Sequence, residues 1–111
     1  MEDKIKSGYL YDFYGELLTE HQRNVYEMSV LEDLSLSEIA DTLSISRQGV
    51  HDLLKRCDHQ LEDYEERLHL VEKFMNIRAD VVRINELTSG NPDKETLSEI
   101  SRLSSSILEE L

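Results

Sequence analysis

Residues 34–54 read LSLSEIADTLSISRQGVHDLL, and this stretch decides the fold. Its apolar residues recur at helical spacing in two adjacent short runs. The recurring positions are Ile39, Leu43, Ile45, Val50 and Leu53. Ala40 lies beside the first of them and is small enough to let two helices cross closely. The pattern predicts two helices that pack against each other across a tight turn.

Two serines stand where helix starts are needed. Ser35 and Glu38 have the spacing of a capping box, in which each side chain accepts the backbone N–H of the other residue. Ser46 can cap a second helix by accepting an orphan N–H of its first turn. Between the helices, Leu43–Ile45 has the length of the turn in a helix-turn-helix. The alternative is an ordinary helical hairpin that has no role with nucleic acid.

One position departs from the motif. The ninth position, counted from Leu36, is often a glycine, and here it is Ser44. If this residue takes a left-handed backbone conformation, serine costs on the order of 1 kcal/mol more than glycine. The motif is therefore expected to form with a small local cost.

Composition favours a small all-α protein. The 111 residues have room for one compact domain, or for a small domain with a helical extension, and can bury a core without disulfides or metal. Four glycines and one proline leave long stretches without a helix breaker. Cys57 is the single cysteine, so a cytoplasmic setting is expected. The charged N-terminus is unlike a signal peptide, and no apolar run approaches the about 20 residues that span a membrane.

The charge of the chain is unevenly distributed. A net charge of −12 opposes DNA binding, because phosphate neutralisation supplies most non-specific affinity. Residues 46–56 nevertheless sum to +2, from three cations and one acid, namely Arg47, Lys55, Arg56 and Asp52. Residues 58–68 sum to −4, from five acids and one arginine. The second helix of the motif is thus locally basic, which predicts either weak affinity for DNA or a protein target.

Two helices are predicted before the motif. The first covers residues 4–17, with one apolar stripe and flanking aromatics that are expected to pack in the core. The stripe is Ile5, Tyr9, Phe13 and Leu17, and its flanks are Leu10, Tyr11 and Tyr14. The second helix begins at Thr19, which has capping-box spacing to Gln22, and ends near residues 31–33. Its predicted buried side is Val25, Met28 and Leu31 or Leu34. Residues 1–57 are therefore predicted to form the helix-turn-helix domain.

The remainder, residues 58–111, is predicted to be a helical extension that forms a dimer. A heptad-like seam runs from Val50 to Met75 through Leu54, Cys57, Leu61, Tyr64, Leu68 and Val71. The apolar stripe changes phase near residues 67–70, which predicts a break in the helix there. After it, Gly90 is expected to end a helix in a left-handed conformation, and Asn91 to cap the next with Pro92 at its first position. More apolar surface lies beyond residue 57 than one antiparallel helix pair needs, so self-association is expected.

The sequence contains no constellation of residues that would carry catalysis. The histidines His21, His51, His59 and His69 lack metal-site spacing, and there is no glycine-rich phosphate loop. Cys57 and His59 are two positions apart, so they do not face each other on a helix. The carboxylates are spread along polar helix faces, where a solvated surface is the better account. We therefore expect a protein that is not an enzyme and has no metal and no cofactor.

Residues 17–56 resemble the region 4 domain of bacterial sigma factors. The resemblance lies in LTE at 18–20, SLSEIA at 35–40 and ISRQGV at 45–50. The whole chain, including YDFY at 11–14 and LEDYE at 61–65, resembles the YlxM family of small Gram-positive proteins. That resemblance implies a DNA-binding regulator and a connection with the signal recognition particle pathway. It also implies that Arg47, Gln48, His51 and Lys55 match exposed positions of a recognition helix.

The leading hypothesis is an all-α dimer that regulates transcription through a sigma-like helix-turn-helix. Ser46 caps the recognition helix, and Arg47 and Lys55 contact phosphate or guanine. Gln48 and His51 read base edges. Gly49 either permits close approach of the DNA backbone or is simply tolerated in the helix. The rival hypothesis is an adaptor that uses the motif as a scaffold and binds the protein or RNA of the signal recognition particle.

Overall fold

The described part of the chain is all-α. A computed structural model describes residues 3–111, with side chains from residue 5 onward, and contains six α-helices and no strand within that range. A single 3₁₀ turn, Gly15–Leu17, follows the first helix. The helices are α1 (Asp3–Tyr14), α2 (Glu20–Val30), α3 (Leu36–Leu43), α4 (Arg47–Leu68), α5 (Leu70–Leu87) and α6 (Lys94–Glu110). The predicted fold class is confirmed.

The caps predicted for α2 and α3 are confirmed. Thr19 precedes α2 and its hydroxyl accepts the Gln22 N–H at 3.2 Å, while the Gln22 side chain accepts the Thr19 N–H at 3.0 Å. Ser35 and Glu38 form the same reciprocal pair at 3.1 Å in both directions before α3. Each box satisfies two backbone donors that a helix start leaves without a partner. Local sequence therefore sets where both helices begin.

The core of the motif joins three helices. Val25 of α2, Ile39 and Ala40 of α3, and Val50 of α4 form one buried cluster. Partly buried apolar side chains surround it, namely Met28, Leu34, Leu36, Leu43, Leu53 and Leu54. The small side chain of Ala40 is buried in this cluster, as the helix-turn-helix reading predicted. Leu31, one of two alternatives for the buried side of α2, is instead exposed, and Tyr26 is buried.

The predicted apolar stripe of α1 is wrong by one residue in register. Ile5, Phe13 and Leu17 are 51%, 38% and 56% exposed, whereas Leu10, Tyr14 and Leu18 are buried. Both sets step by four, so spacing alone does not choose between them. The buried set includes a tyrosine whose hydroxyl finds an acceptor on α4, and this contact favours its burial.

Three tyrosine hydroxyls donate hydrogen bonds to carboxylates and tie α1, α2 and α4 together. Tyr11 donates to Glu27 and Tyr14 to Glu65, each at 2.5 Å. Tyr26 of α2 donates to Asp58 of α4 at 2.7 Å, and its ring stacks on that of Tyr11 with 5.4 Å between centroids. A hydrogen bond to a charged acceptor is stronger than a neutral one, so these pairs give the small core directional contacts between helices. The carboxylates of Asp58 and Glu65 are thus structural acceptors, and the prediction that the acids only form a solvated surface is wrong for them.

The predicted break between residues 67 and 70 is confirmed. α4 ends at Leu68, His69 takes a left-handed conformation with φ 56°, and α5 begins at Leu70. The chain divides into two compact units at this point, residues 1–69 and 70–111, whereas the predicted domain boundary lies at 57/58. The first unit extends to residue 69 because the α4 side chains of Cys57 and Leu61, which follow or adjoin the predicted boundary, are buried in its core.

The second unit is a hairpin of α5 and α6, and its connection differs from the prediction. Asp93 is the residue that caps α6, by accepting the Thr96 N–H at 2.8 Å, so the expected cap at Asn91 with Pro92 at the first helical position is wrong. Gly90 does not have a positive φ, so the expected left-handed ending is wrong as well. Asp93 is well suited to the role, because a carboxylate near a helix N-terminus also favours the helix dipole.

We expect Ala40→Leu to destabilise the first unit. Overpacking a core typically costs about 1–3 kcal/mol, and a domain of this size loses roughly 4–8 °C of melting temperature per kcal/mol. Thermal unfolding followed by circular dichroism measures the change. Asp41→Leu, an exposed neighbour on the same helix, is the control and should leave the melting temperature nearly unchanged. Equal melting temperatures for the Ala40→Leu variant and the parent would show that a larger side chain fits between α3 and α4 without strain.

We also expect Asp58→Asn to stabilise the protein at neutral pH. Burial raises the pKa of Asp58 despite the opposing hydrogen bond from Tyr26, so the folded state favours the protonated form. A folded pKa above the unfolded value of about 3.9 contributes stability below pH 4 that is lost as pH rises through the folded pKa. Asparagine keeps an acceptor oxygen and carries no charge. Urea unfolding at several pH values should therefore show an advantage for Asp58→Asn at neutral pH that vanishes in acid.

Candidate nucleic-acid interface

The turn between α3 and α4 has the geometry of a helix-turn-helix. α3 ends at Leu43, and Ser44 takes a left-handed conformation with φ 56° and ψ 42°. The Ile45 N–H donates to the Ala40 carbonyl at 3.1 Å, which closes the end of α3. Serine thus occupies the position where glycine is common, with the conformation that the motif requires. The turn sets the direction in which α4 leaves α3.

Ser46 caps α4 as predicted. Its hydroxyl oxygen accepts the Gly49 N–H at 3.0 Å, and its backbone is extended. A Cβ added at Gly49 would lie 3.2 Å from that same hydroxyl oxygen, a tight contact for a side chain. The contact with the cap is therefore a local structural reason for a glycine at position 49. It adds to the two explanations from the sequence, which are close approach of the DNA backbone and simple tolerance of glycine. Ser46 acts here by fixing the start of the helix.

The two predicted phosphate contacts are exposed on α4. Arg47 is the first residue of the helix, and Lys55 lies eight residues later, about 12 Å along the axis. Within the described part of the chain neither side chain takes part in an ion pair. Both cations are thus available to an anionic partner. An exposed cation pair with this spacing suits contacts with a polyanion.

The two predicted base readers both lie close to Asp52, and Gln48 is hydrogen-bonded to it. Gln48 Nε2 donates to Asp52 Oδ1 at 3.0 Å, and His51 Nδ1 lies 3.6 Å from the same oxygen. The Gln48 carbonyl oxygen keeps its accepting capacity, and all three side chains are exposed. Asp52 therefore orients Gln48, but it also puts a negative charge in the row that would meet DNA. The sequence indicated the charge and did not reveal the contacts.

Arg56 and His59 extend the exposed polar surface of α4 beyond the five predicted residues. With Asp52 and Lys55 they line one shallow depression on the exposed side of α4. Asp52 is three or four residues from Lys55 and Arg56, and these are three or four residues from His59, so the spacing would have indicated a shared face. We define the α4 patch as Arg47, Gln48, His51, Asp52, Lys55, Arg56 and His59. It extends from the first residue of α4 to just past the middle of the helix.

The described residues offer no arrangement suited to metal chemistry or a reactive thiol. No group of three or more His, Cys, Asp or Glu side chains between residues 5 and 111 is placed to hold a metal ion. Cys57 is buried, and burial raises the pKa of its thiol to about 11. At neutral pH it is therefore protonated and a poor nucleophile. Among the described helices, none combines the length and the apolar character that crossing a membrane requires.

Comparison with known proteins identifies relatives over nearly the whole chain. The family model described as "Putative helix-turn-helix protein, YlxM / p13 like" matches residues 1–101. A UPF0122 protein of Caldanaerobacter subterraneus is 49% identical over 85 residues, which are 77% of this chain and 73% of the relative. A UPF0122 protein of Thermoanaerobacter is 43% identical over 110 residues, or 99% and 94% of the two chains.

The relative named UPF0122 protein YlxM in Bacillus subtilis is 39% identical over 98 residues, which are 88% of this chain and 89% of that protein. The matched residues include the capped α3, the left-handed turn at Ser44 and the α4 patch. Helix-turn-helix geometry and the family description therefore agree. The chain belongs to the YlxM/p13-like family of helix-turn-helix proteins.

Proposed function

We propose that this protein is a regulatory protein that binds duplex DNA with the first half of α4. The observation that carries the proposal is the α4 patch, in which exposed Arg47 and Lys55 stand on the second helix of a helix-turn-helix. In such motifs the N-terminal residues of the recognition helix contact base edges in the major groove. Arg47 and Lys55 contact phosphate or guanine, and Gln48 and His51 read base edges.

The distribution of charge along α4 suits entry of only its N-terminal half into the major groove of DNA. The helix has 22 residues and is about 33 Å long, so its second half extends well beyond the contact region. Residues 58–68 sum to −4, but Asp58 and Glu65 accept hydrogen bonds from tyrosines within the first unit. The remaining acids of that half repel phosphate and limit how far the helix enters the groove. Affinity therefore rests on few cations, and it should be modest.

A second candidate function is a protein-interaction adaptor of the signal recognition particle pathway, with which the resemblance to the YlxM family implies a connection. The net charge of −12 and the presence of Asp52 inside the α4 patch favour it. In this reading the helix-turn-helix is a scaffold, and the target is a protein or RNA component of that particle. Binding to a protein target would depend on apolar and shape contacts, so it would be less sensitive to salt than recognition of a DNA backbone.

The double variant Arg47→Ala/Lys55→Ala should lose most DNA binding and keep its fold. Fluorescence anisotropy with a short random-sequence duplex, titrated between about 50 and 200 mM salt, measures affinity and salt dependence. Each lost phosphate contact should reduce the slope of log K against log salt by about 1, so the double variant should lose about 2. Circular dichroism verifies that the helices are retained.

A matched control separates local contacts from net charge. Lys73→Ala/Arg78→Ala removes the same two charges from exposed positions of the second unit, and DNA affinity should stay near that of the parent protein. Equal losses in the two double variants would show that only net charge matters. Unchanged binding after loss of Arg47 and Lys55 would contradict the DNA proposal and favour the adaptor.

A further inference from the structure

The α5–α6 hairpin has one polar side. Arg83 Nε donates to Glu99 Oε1 at 3.3 Å, and Asn76 Nδ2 donates to Glu110 Oε1 at 3.4 Å. Both contacts join α5 to α6, so they fix how the two helices face each other. At 100° per residue, the positions on the opposite side of each helix follow from these contacts.

The opposite side of the hairpin carries an apolar surface whose own residues are uncharged. On α5 it carries Val81 with Ile77 and Ile84, and on α6 it carries Leu97, Ile100, Ser104, Ile107 and Leu108. We name these eight residues the hairpin face. Val81, Leu97 and Leu108 are exposed, and the four isoleucines are half-buried. Within residues 70–111 only Val71 and Leu103 are buried, since two helices alone cannot enclose a core.

The width of the hairpin face indicates what covers it. The exposed residues extend past the groove between α5 and α6 to the outer part of both helices, where Leu97 and Leu108 lie. A single added helix would occupy the groove and contact the isoleucines, and it would leave those outer leucines in water. A partner two helices wide covers the whole face, and another copy of the same hairpin has that width. The product is a four-helix arrangement around one core.

Charge agrees with this partner, and the size of the face fits a small interface. The chain carries −12, so two copies repel unless they meet where no acid is present, and the hairpin face offers such a place. The hairpin face spans residues 97–108 of α6, about 18 Å along the axis, and two helices are about 20 Å wide, so its projection is roughly 360 Å². The accessible area of a side-chain surface exceeds its projection, so the face suits a small interface, below the about 800 Å² per partner of a standard one.

We propose that two copies of this chain associate through the hairpin face by a twofold axis. A twofold interface uses the same patch on both copies, which a self-complementary apolar face allows. The proposal stands on the second unit alone and does not depend on whether α4 binds DNA. It predicts that a charge inside the face prevents association, because two like charges would be buried opposite each other.

Neighbouring valines provide the matched pair for the test. Val81 and Val82 are 43% and 40% exposed, and they point about 100° apart on α5, so only Val81 lies in the hairpin face. Size-exclusion chromatography with light scattering at micromolar concentration should give the parent protein and Val82→Glu twice the 12.9 kDa mass of one chain. Val81→Glu should give the mass of one chain, with the helix content of the parent by circular dichroism.

Other outcomes overturn the proposal. A parent protein with the mass of one chain would show that the face is covered within the chain or by a different partner. A dimer that survives Val81→Glu would place the interface elsewhere, and equal dissociation of both variants would show a general charge effect. If Val81→Glu fails to fold, Leu97→Glu on α6 decides in its place, because an exposed α6 position tolerates the charge in a single chain.

Discussion

The buried contact between Ala40 and the apolar side chains around it is the constraint on which the candidate site depends. It brings α2, α3 and α4 into one cluster, and α4 carries the whole α4 patch. A larger side chain would push α3 away from α4, and the left-handed turn at Ser44 would no longer set the direction of α4. The patch is therefore positioned by an uncharged residue that makes no polar contact through its side chain.

Tyrosine–carboxylate hydrogen bonds complete the support of α4 farther along its length. Asp58 and Glu65 accept from Tyr26 and Tyr14, so two of the acids in the acidic half of the helix serve the fold. Burial raises the pKa of Tyr11 to about 12 and that of Tyr26 still higher, so both hydroxyls stay protonated and keep donating at neutral pH. The helix is thus held by an apolar contact near its start and by polar contacts beyond it. The charged side chains on the exposed side of the first half of α4 are therefore not needed to pack the helix.

The features of this structure that could be predicted are those that depend on residues close together in the sequence. The caps at Thr19, Ser35 and Ser46 depend on residues three apart, and all three are present. The register of α1 could not be predicted, because the two apolar stripes have the same spacing and the hydrogen bond from Tyr14 to Glu65 joins residues far apart in the sequence. The start of α6 differs from the prediction because Asn91 and Asp93 both suit a cap, and it is the Asp93 carboxylate that accepts the Thr96 N–H. For the site, exposure of Arg47 and Lys55 was predicted, whereas the contacts of Asp52 with Gln48 and His51 depend on rotamers.

The burial of Cys57 makes the single thiol of the chain a reporter of motion in its core. A thiol with no access to solvent reacts with an alkylating reagent only when the surrounding packing opens. Its labelling rate therefore measures how often the middle of α4 separates from its neighbours. A ligand that holds α4 in place would slow the labelling, and one that binds elsewhere would leave it unchanged. The reactivity of Cys57 is therefore an internal measure of the motion of the helix that presents the candidate site.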